Sequence, residues 1–137
     1  MTSRDVIENK ISSTRKVLRL LDRYRGYSKD EIQQDIDLKG AVERYLYLAA
    51  QSTIDLAEAL ISFRNLRKPA TMAESFRILQ EEGLLSAELA GKLARMAGFR
   101  NILAHAYEDI DGDIVYDVLQ NRLKDLAEFL DRISPIN

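Results

Sequence analysis

An all-α fold, a single-domain antiparallel helical bundle of four to five main helices, follows from three features of the sequence. Apolar residues recur at spacings of three and four over long stretches, the period of one helical face. Glycine and proline are scarce, six and two among 137 residues, and both prolines lie between or beyond those stretches. No segment keeps the two-residue alternation of a half-buried strand. Tyr107 to Tyr116 begins one, and the acidic turn inside it breaks it. The length suits one compact domain, residues 1–137, with a single core.

The first helix is expected over 3–25, with Ile7, Ile11, Thr14, Leu18 and Leu21 on one face and Gly26 as its stop. Ser28, with Glu31 three residues on, is a capping box that opens a short helix to about Ile36. A long helix then runs from about Leu38 to Phe63 or slightly beyond. Its apolar residues, among them Val42, Leu46, Ile54, Leu56 and Leu60, cover more than one face. Such a helix is central in a core, or shared between the core and a subunit interface. Lys68-Pro69 ends that region. Thr71 and Glu74 form a second capping box, opening a short helix with Phe76, Ile78 and Leu79 that closes at Gly83. Ser86 begins the next helix, with Leu89, Leu93 and Met96 inward, and Gly98 is expected to interrupt it. Asp109 to Asp113 reads as a turn with capping side chains. The last helix spans about 113–133, amphipathic through Ile114, Val118, Leu119, Leu123, Leu126, Leu130 and Ile133.

Composition removes several kinds of chemistry. Without cysteine there is no disulfide, thiolate metal site or cysteine nucleophile. One histidine argues against a zinc site. Gly-rich phosphate loops, the G-x-S-x-G elbow and H-E-x-x-H are all missing, and the acidic turn 108–113 lacks the calcium-loop pattern. Neither a metal nor a cofactor is expected. The N-terminus has no apolar signal region and no apolar run is long enough for a bilayer, so the expected location is the cytoplasm, away from membranes. Net charge is −2, but residues 1–25 hold seven basic against three acidic side chains and residues 108–137 three against eight. A nucleic-acid role would need a local basic groove; helix faces of opposite sign packed together would explain the asymmetry equally well.

The richest chemistry lies in Arg100-Asn101-Ile102-Leu103-Ala104-His105-Ala106-Tyr107, which contains the only histidine. Histidine exchanges protons near neutrality. Arginine stays charged, and its planar fork fits phosphate oxygens. The pair suggests phosphate-ester chemistry or phosphate binding. A lone histidine near a helix end is more often structural, and spacing alone leaves the triplet ambiguous. On a continuous helix Arg100 and Tyr107 share a face, as do Asn101 and His105 on a neighbouring one. Tyr107 reads as a half-buried aromatic, a nucleophile or a target of modification. In the long helix Arg44, Gln51, Asp55 and Glu58 form one polar stripe. It is either a solvated face, or a lining in which Arg44 and Asp55 orient or neutralise the Arg100/His105 group.

With those residues in place, Gly98 to Tyr107 resembles the signature of HepT-type proteins of the HEPN superfamily: arginine, four to six residues, histidine, one residue, tyrosine. Ala41 to Arg44 with Gln51 and Asp55, then Pro69, Phe76, Leu79 and Met96 to Arg100, follow that family's order over nearly the whole chain. The resemblance implies a homodimeric helical bundle and a metal-independent ribonuclease toxin of a toxin–antitoxin pair. It implies Arg100 and His105 as catalytic residues, with Asn101, Arg44, Gln51 and Asp55 supporting them. The implied partner is a small nucleotidyltransferase antitoxin that silences the toxin by transferring AMP to Tyr107. The alternative is a non-catalytic helical module that binds nucleotide or RNA phosphate.

Overall fold

Helix α3 (Ile36–Phe63) organises the chain in the computed structural model, which describes residues 3–105 and 110–135. Around it pack α1 (Ser3–Asp22), α2 (Lys29–Gln34), α4 (Met72–Glu81), α5 (Ala87–His105) and α7 (Leu123–Ile133). A short α6 (Gly112–Asp117) and a π-helical turn (Val118–Arg122) lead into α7. No strand occurs among the described residues. Because α3 meets neighbours on several sides, Val42, Leu46, Ala49, Ile54, Leu56 and Leu60 are all buried within one chain. Its many-sided apolar character is therefore satisfied without a second subunit. Phe76 of α4 and Phe129 of α7 meet edge to face, ring centroids 5.8 Å apart, and tie the outer helices together.

Local chemistry sets the helix ends. The Ser28 hydroxyl accepts from the Glu31 amide at 3.1 Å, and Glu31 accepts from the Ser28 amide at 2.9 Å, completing the capping box. Asp35 caps α3 by accepting from the Asp37 and Leu38 amides, so α3 starts two residues before Leu38. It ends at Phe63, ahead of Lys68-Pro69, where Asn65 takes a left-handed conformation (φ 55°). α1 likewise stops at Asp22, three residues short of the expected end. Thr71 caps α4, but Glu74 does not complete a box. Its carboxylate accepts from the Ala70 amide and from Arg67, which also holds Glu81. Gly83, at φ 76°, ends that region.

Two expectations fail. Gly98 does not interrupt α5, which continues to His105. A single helical glycine costs about 1 kcal/mol, and burial of Met96, Ala97 and Phe99 around it outweighs that. The last helix is not one regular element. Asn121 and Arg122 both donate back to Asp117, four and five residues earlier, at 2.8 and 3.2 Å. They lie on the π-helical turn Val118–Arg122, which widens the backbone by one residue.

Part of the uneven charge is paired across the fold: Arg15 meets Asp131 at 3.0 Å, and Lys29, just beyond the basic stretch, meets Asp113 at 2.5 Å. No described helix is long and apolar enough to cross a membrane.

Candidate active site

The packing of α5 on α3 decides what Arg100 touches. Its side chain is half-buried and directed at α3. Nε donates to Gln51 Oε1 at 2.5 Å, one terminal nitrogen donates to Asn101 Oδ1 at 2.9 Å, and the other approaches the Tyr47 hydroxyl at 3.5 Å. The guanidinium carbon lies 5.5 Å from the Tyr47 ring centroid. Every one of these partners is neutral. Among the described residues no carboxylate pairs with Arg100.

Gln51 explains how a carboxylate one turn away is kept off that guanidinium. Its Nε2 donates to Asp55 Oδ1 at 2.9 Å while its Oε1 faces Arg100, so both ends of the amide are fixed by their partners. The other oxygen of Asp55 lies 3.7 Å from Lys10 Nζ on α1. Asp55 therefore reaches Arg100 only through the amide. Arg44 does not touch Arg100 either. It is exposed, and its guanidinium carbon lies 5.6 Å from the same Tyr47 ring. Glu58, the last residue of the stripe, is exposed on the following turn.

His105 is exposed at the end of α5, on the same helix as Arg100. Five residues separate them, about 140° around the axis and about 7.5 Å along it. No hydrogen bond joins the two among the described residues. Asn101, also exposed, lies between them in the chain. Tyr107 falls outside the described residues.

Tyr47 is the member of this cluster that the sequence does not single out, since both arginines approach its ring. It stands three residues after Arg44 and four before Gln51, inside the polar stripe. That spacing was the available signal, masked by the apolar character of the surrounding helix. Beside it, Glu43 carries a buried, unpartnered Oε2, and burial raises its carboxyl above the ordinary range against the opposing pull of Lys39. A separate groove of about 630 Å³ runs between α5 and α6, with Phe99 and Val118 in its wall and Ile102 and Ile114 exposed beside it. Neither Arg100 nor His105 lines it.

The cluster is thus a cation held in place by groups that do not neutralise it, with an exposed imidazole on the same helix. Arg100 can grip an oxyanion, and His105, farther along and around the same helix, can offer or take a proton. Residues 14–133 match the family described as Ribonuclease HepT-like. The chain belongs to the HepT-like family. It is 30% identical over 130 residues to the mRNA nuclease HepT of Shewanella oneidensis, covering 95% of this chain and 97% of that protein. The tRNA nuclease HepT of Aphanizomenon flos-aquae is 28% identical, over 94% of this chain and 88% of that one. A solved structure of a tri-AMPylated Shewanella oneidensis HEPN toxin in complex with its MNT antitoxin superposes with a TM-score of 0.86 at 30% identity, over 98% of each chain. The motif helix α5 lies within the matched region.

Proposed function

We propose that this HepT-like chain is the ribonuclease toxin of a toxin–antitoxin pair, acting in the cytoplasm as a homodimer. The observation that carries the reading is the uncompensated Arg100 guanidinium, oriented by Gln51, Asn101 and Tyr47 on the helix that ends in an exposed His105. The nuclease relatives supply the substrate class. In the proposed reaction the ribose 2′-oxygen attacks phosphorus and the bond to the 5′-oxygen breaks. A 2′,3′-cyclic phosphate and a free 5′-hydroxyl result. His105 takes the 2′-hydroxyl proton as general base. Arg100 stabilises the charge that develops on the phosphorane. The leaving 5′-oxygen also needs a proton. A second copy of the motif, brought to the same groove by dimerisation, supplies that second imidazole.

The partner in this reading is a small nucleotidyltransferase antitoxin that transfers AMP to Tyr107. The adduct places a bulky anion near Arg100 and His105, where it competes with RNA phosphate for the same cation.

Purified protein incubated with RNA in chelator tests the proposal directly. Cleavage to cyclic-phosphate ends is expected. Arg100→Ala and His105→Ala should each abolish it while leaving the helical circular-dichroism signal intact. Full activity in either variant removes the mechanism, and binding without cleavage turns the chain into a phosphate-binding module. Co-expression with the neighbouring nucleotidyltransferase gene should add AMP to Tyr107 by mass spectrometry; an unmodified Tyr107 in a neutralised complex overturns that part.

A further inference from the structure

We infer that Arg44, seated on the Tyr47 ring, is a second phosphate grip that holds the nucleotide next to the one bound by Arg100. The inference rests on the ribonuclease reading for the identity of the polyanion, a single RNA strand.

Three observations converge on it. Arg44 lies on α3 and Arg100 on α5, yet both guanidiniums approach the same aromatic ring, at 5.6 and 5.5 Å from its centroid. Their separation cannot exceed the sum of those distances. Two like charges brought together repel. Among the described residues neither arginine is ion-paired with a carboxylate: Asp55 is occupied by Gln51 and Lys10, and Glu43, beside Tyr47, has its Oε2 buried without a hydrogen-bond partner. A ring that holds two uncompensated cations is better suited to a ligand with repeated negative charge than to a single anion. Finally, the two are held differently. Arg100 is half-buried with three neutral partners, as a group in register with one reacting phosphate must be. Arg44 is exposed and touches only the ring face, leaving its donors free for a phosphate arriving from solvent.

Arg44 would then contribute to RNA affinity and not to the chemical step, and Tyr47 would be a positioning residue that sets the spacing between the two grips. A flexible RNA strand laid across both cations places one phosphate at the reacting position and fixes the direction of the chain.

Fluorescence anisotropy tests this with a short single-stranded oligoribonucleotide and the His105→Ala chain, which binds without cutting. Adding Arg44→Gln should weaken binding about tenfold at low salt. The slope of log affinity against log salt should fall by about 0.7, the loss of one single-strand phosphate contact. Arg44→Lys should restore the slope, and Tyr47→Phe, which keeps the ring, should leave it unchanged. Unaltered affinity and slope in Arg44→Gln overturn the inference. In the chain that keeps His105, Arg44→Gln should raise KM about tenfold with kcat within about twofold. A fall in kcat with KM unchanged also overturns it, because Arg44 would then act by positioning Arg100. If that chain does not cleave RNA at all, the nuclease reading fails, while the anisotropy result still decides whether Arg44 grips phosphate.

Discussion

A guanidinium held only by neutral oxygens keeps its full charge for an incoming anion, and at Arg100 that condition depends on the amide of Gln51. Glutamate has nearly the same shape but would bring a carboxylate against Arg100. Gln51→Glu should therefore lower RNA affinity more than Gln51→Ala does, by about tenfold or more. Alanine only loosens the guanidinium, whereas glutamate neutralises it. Equal losses in the two variants, measured by anisotropy, would show that Gln51 acts through packing alone. Glu43, four residues before Tyr47, makes the opposite case. Its carboxyl is raised by burial, so its ionised form opposes folding. The contribution is favourable below the unfolded value of about 4.5 and is lost as pH rises through the higher folded value. A neutral amide in its place carries no such charge, so Glu43→Gln should raise the thermal midpoint at pH 7, with the difference vanishing near pH 4. A variant no more stable than the parent at pH 7 would contradict the assignment.

Among the elements, α4 and the loop before it are fastened by side chains that reach one another over a few residues. Thr71 accepts from the Glu74 amide, and Thr71→Ala should cost about 1 kcal/mol in chemical denaturation. Arg67 holds both Glu74 and Glu81. The Glu74 carboxyl is lowered chiefly by the Ala70 amide and Glu81 chiefly by Arg67. Both are depressed, so what they add to stability is present above the ordinary value of 4.5 and disappears as pH falls through their lower folded values. Carbon-detected titration should place both midpoints below 4.5, and Arg67→Ala should move Glu81 up more than Glu74, since only Glu81 depends mainly on the arginine. These elements also show which parts of a chain can be read in advance. The Ser28 cap and the Gly83 stop were legible because the deciding groups stand within three or four residues of each other. The Asp35 cap and the widened turn at 118–122 were not. The first lies inside a polar run that offered several starts, and the second breaks no apolar spacing that the sequence shows. Gly98 misled because its intrinsic cost is smaller than the packing around it.

At the scale of the molecule, the candidate site is made where two helices far apart in sequence cross, and that crossing is not written in either helix's periodicity. Arg100 and His105 stand out in the sequence because they share one short motif. Tyr47 does not, because its importance arises only when α5 lies against α3 and both arginines reach its ring. The site thus depends on the core that fixes the crossing, and the core can be weakened away from the charged cluster. Phe129 on α7 is fully buried and meets Phe76 of α4 edge to face. Phe129→Ala removes that contact and leaves a cavity, at about 3–5 kcal/mol, which lowers the thermal midpoint by about 10 °C or more. Neither ring touches Arg100, Tyr47 or Gln51 through any hydrogen bond or ring contact. Well below the new midpoint, the variant should therefore bind RNA with parental affinity and salt slope, and lose both together only as it unfolds. If binding weakened while the helical signal remained complete, the α3–α5 crossing would be sensitive to the α4–α7 contact, and the site would have to be treated as one mechanical unit with the whole core.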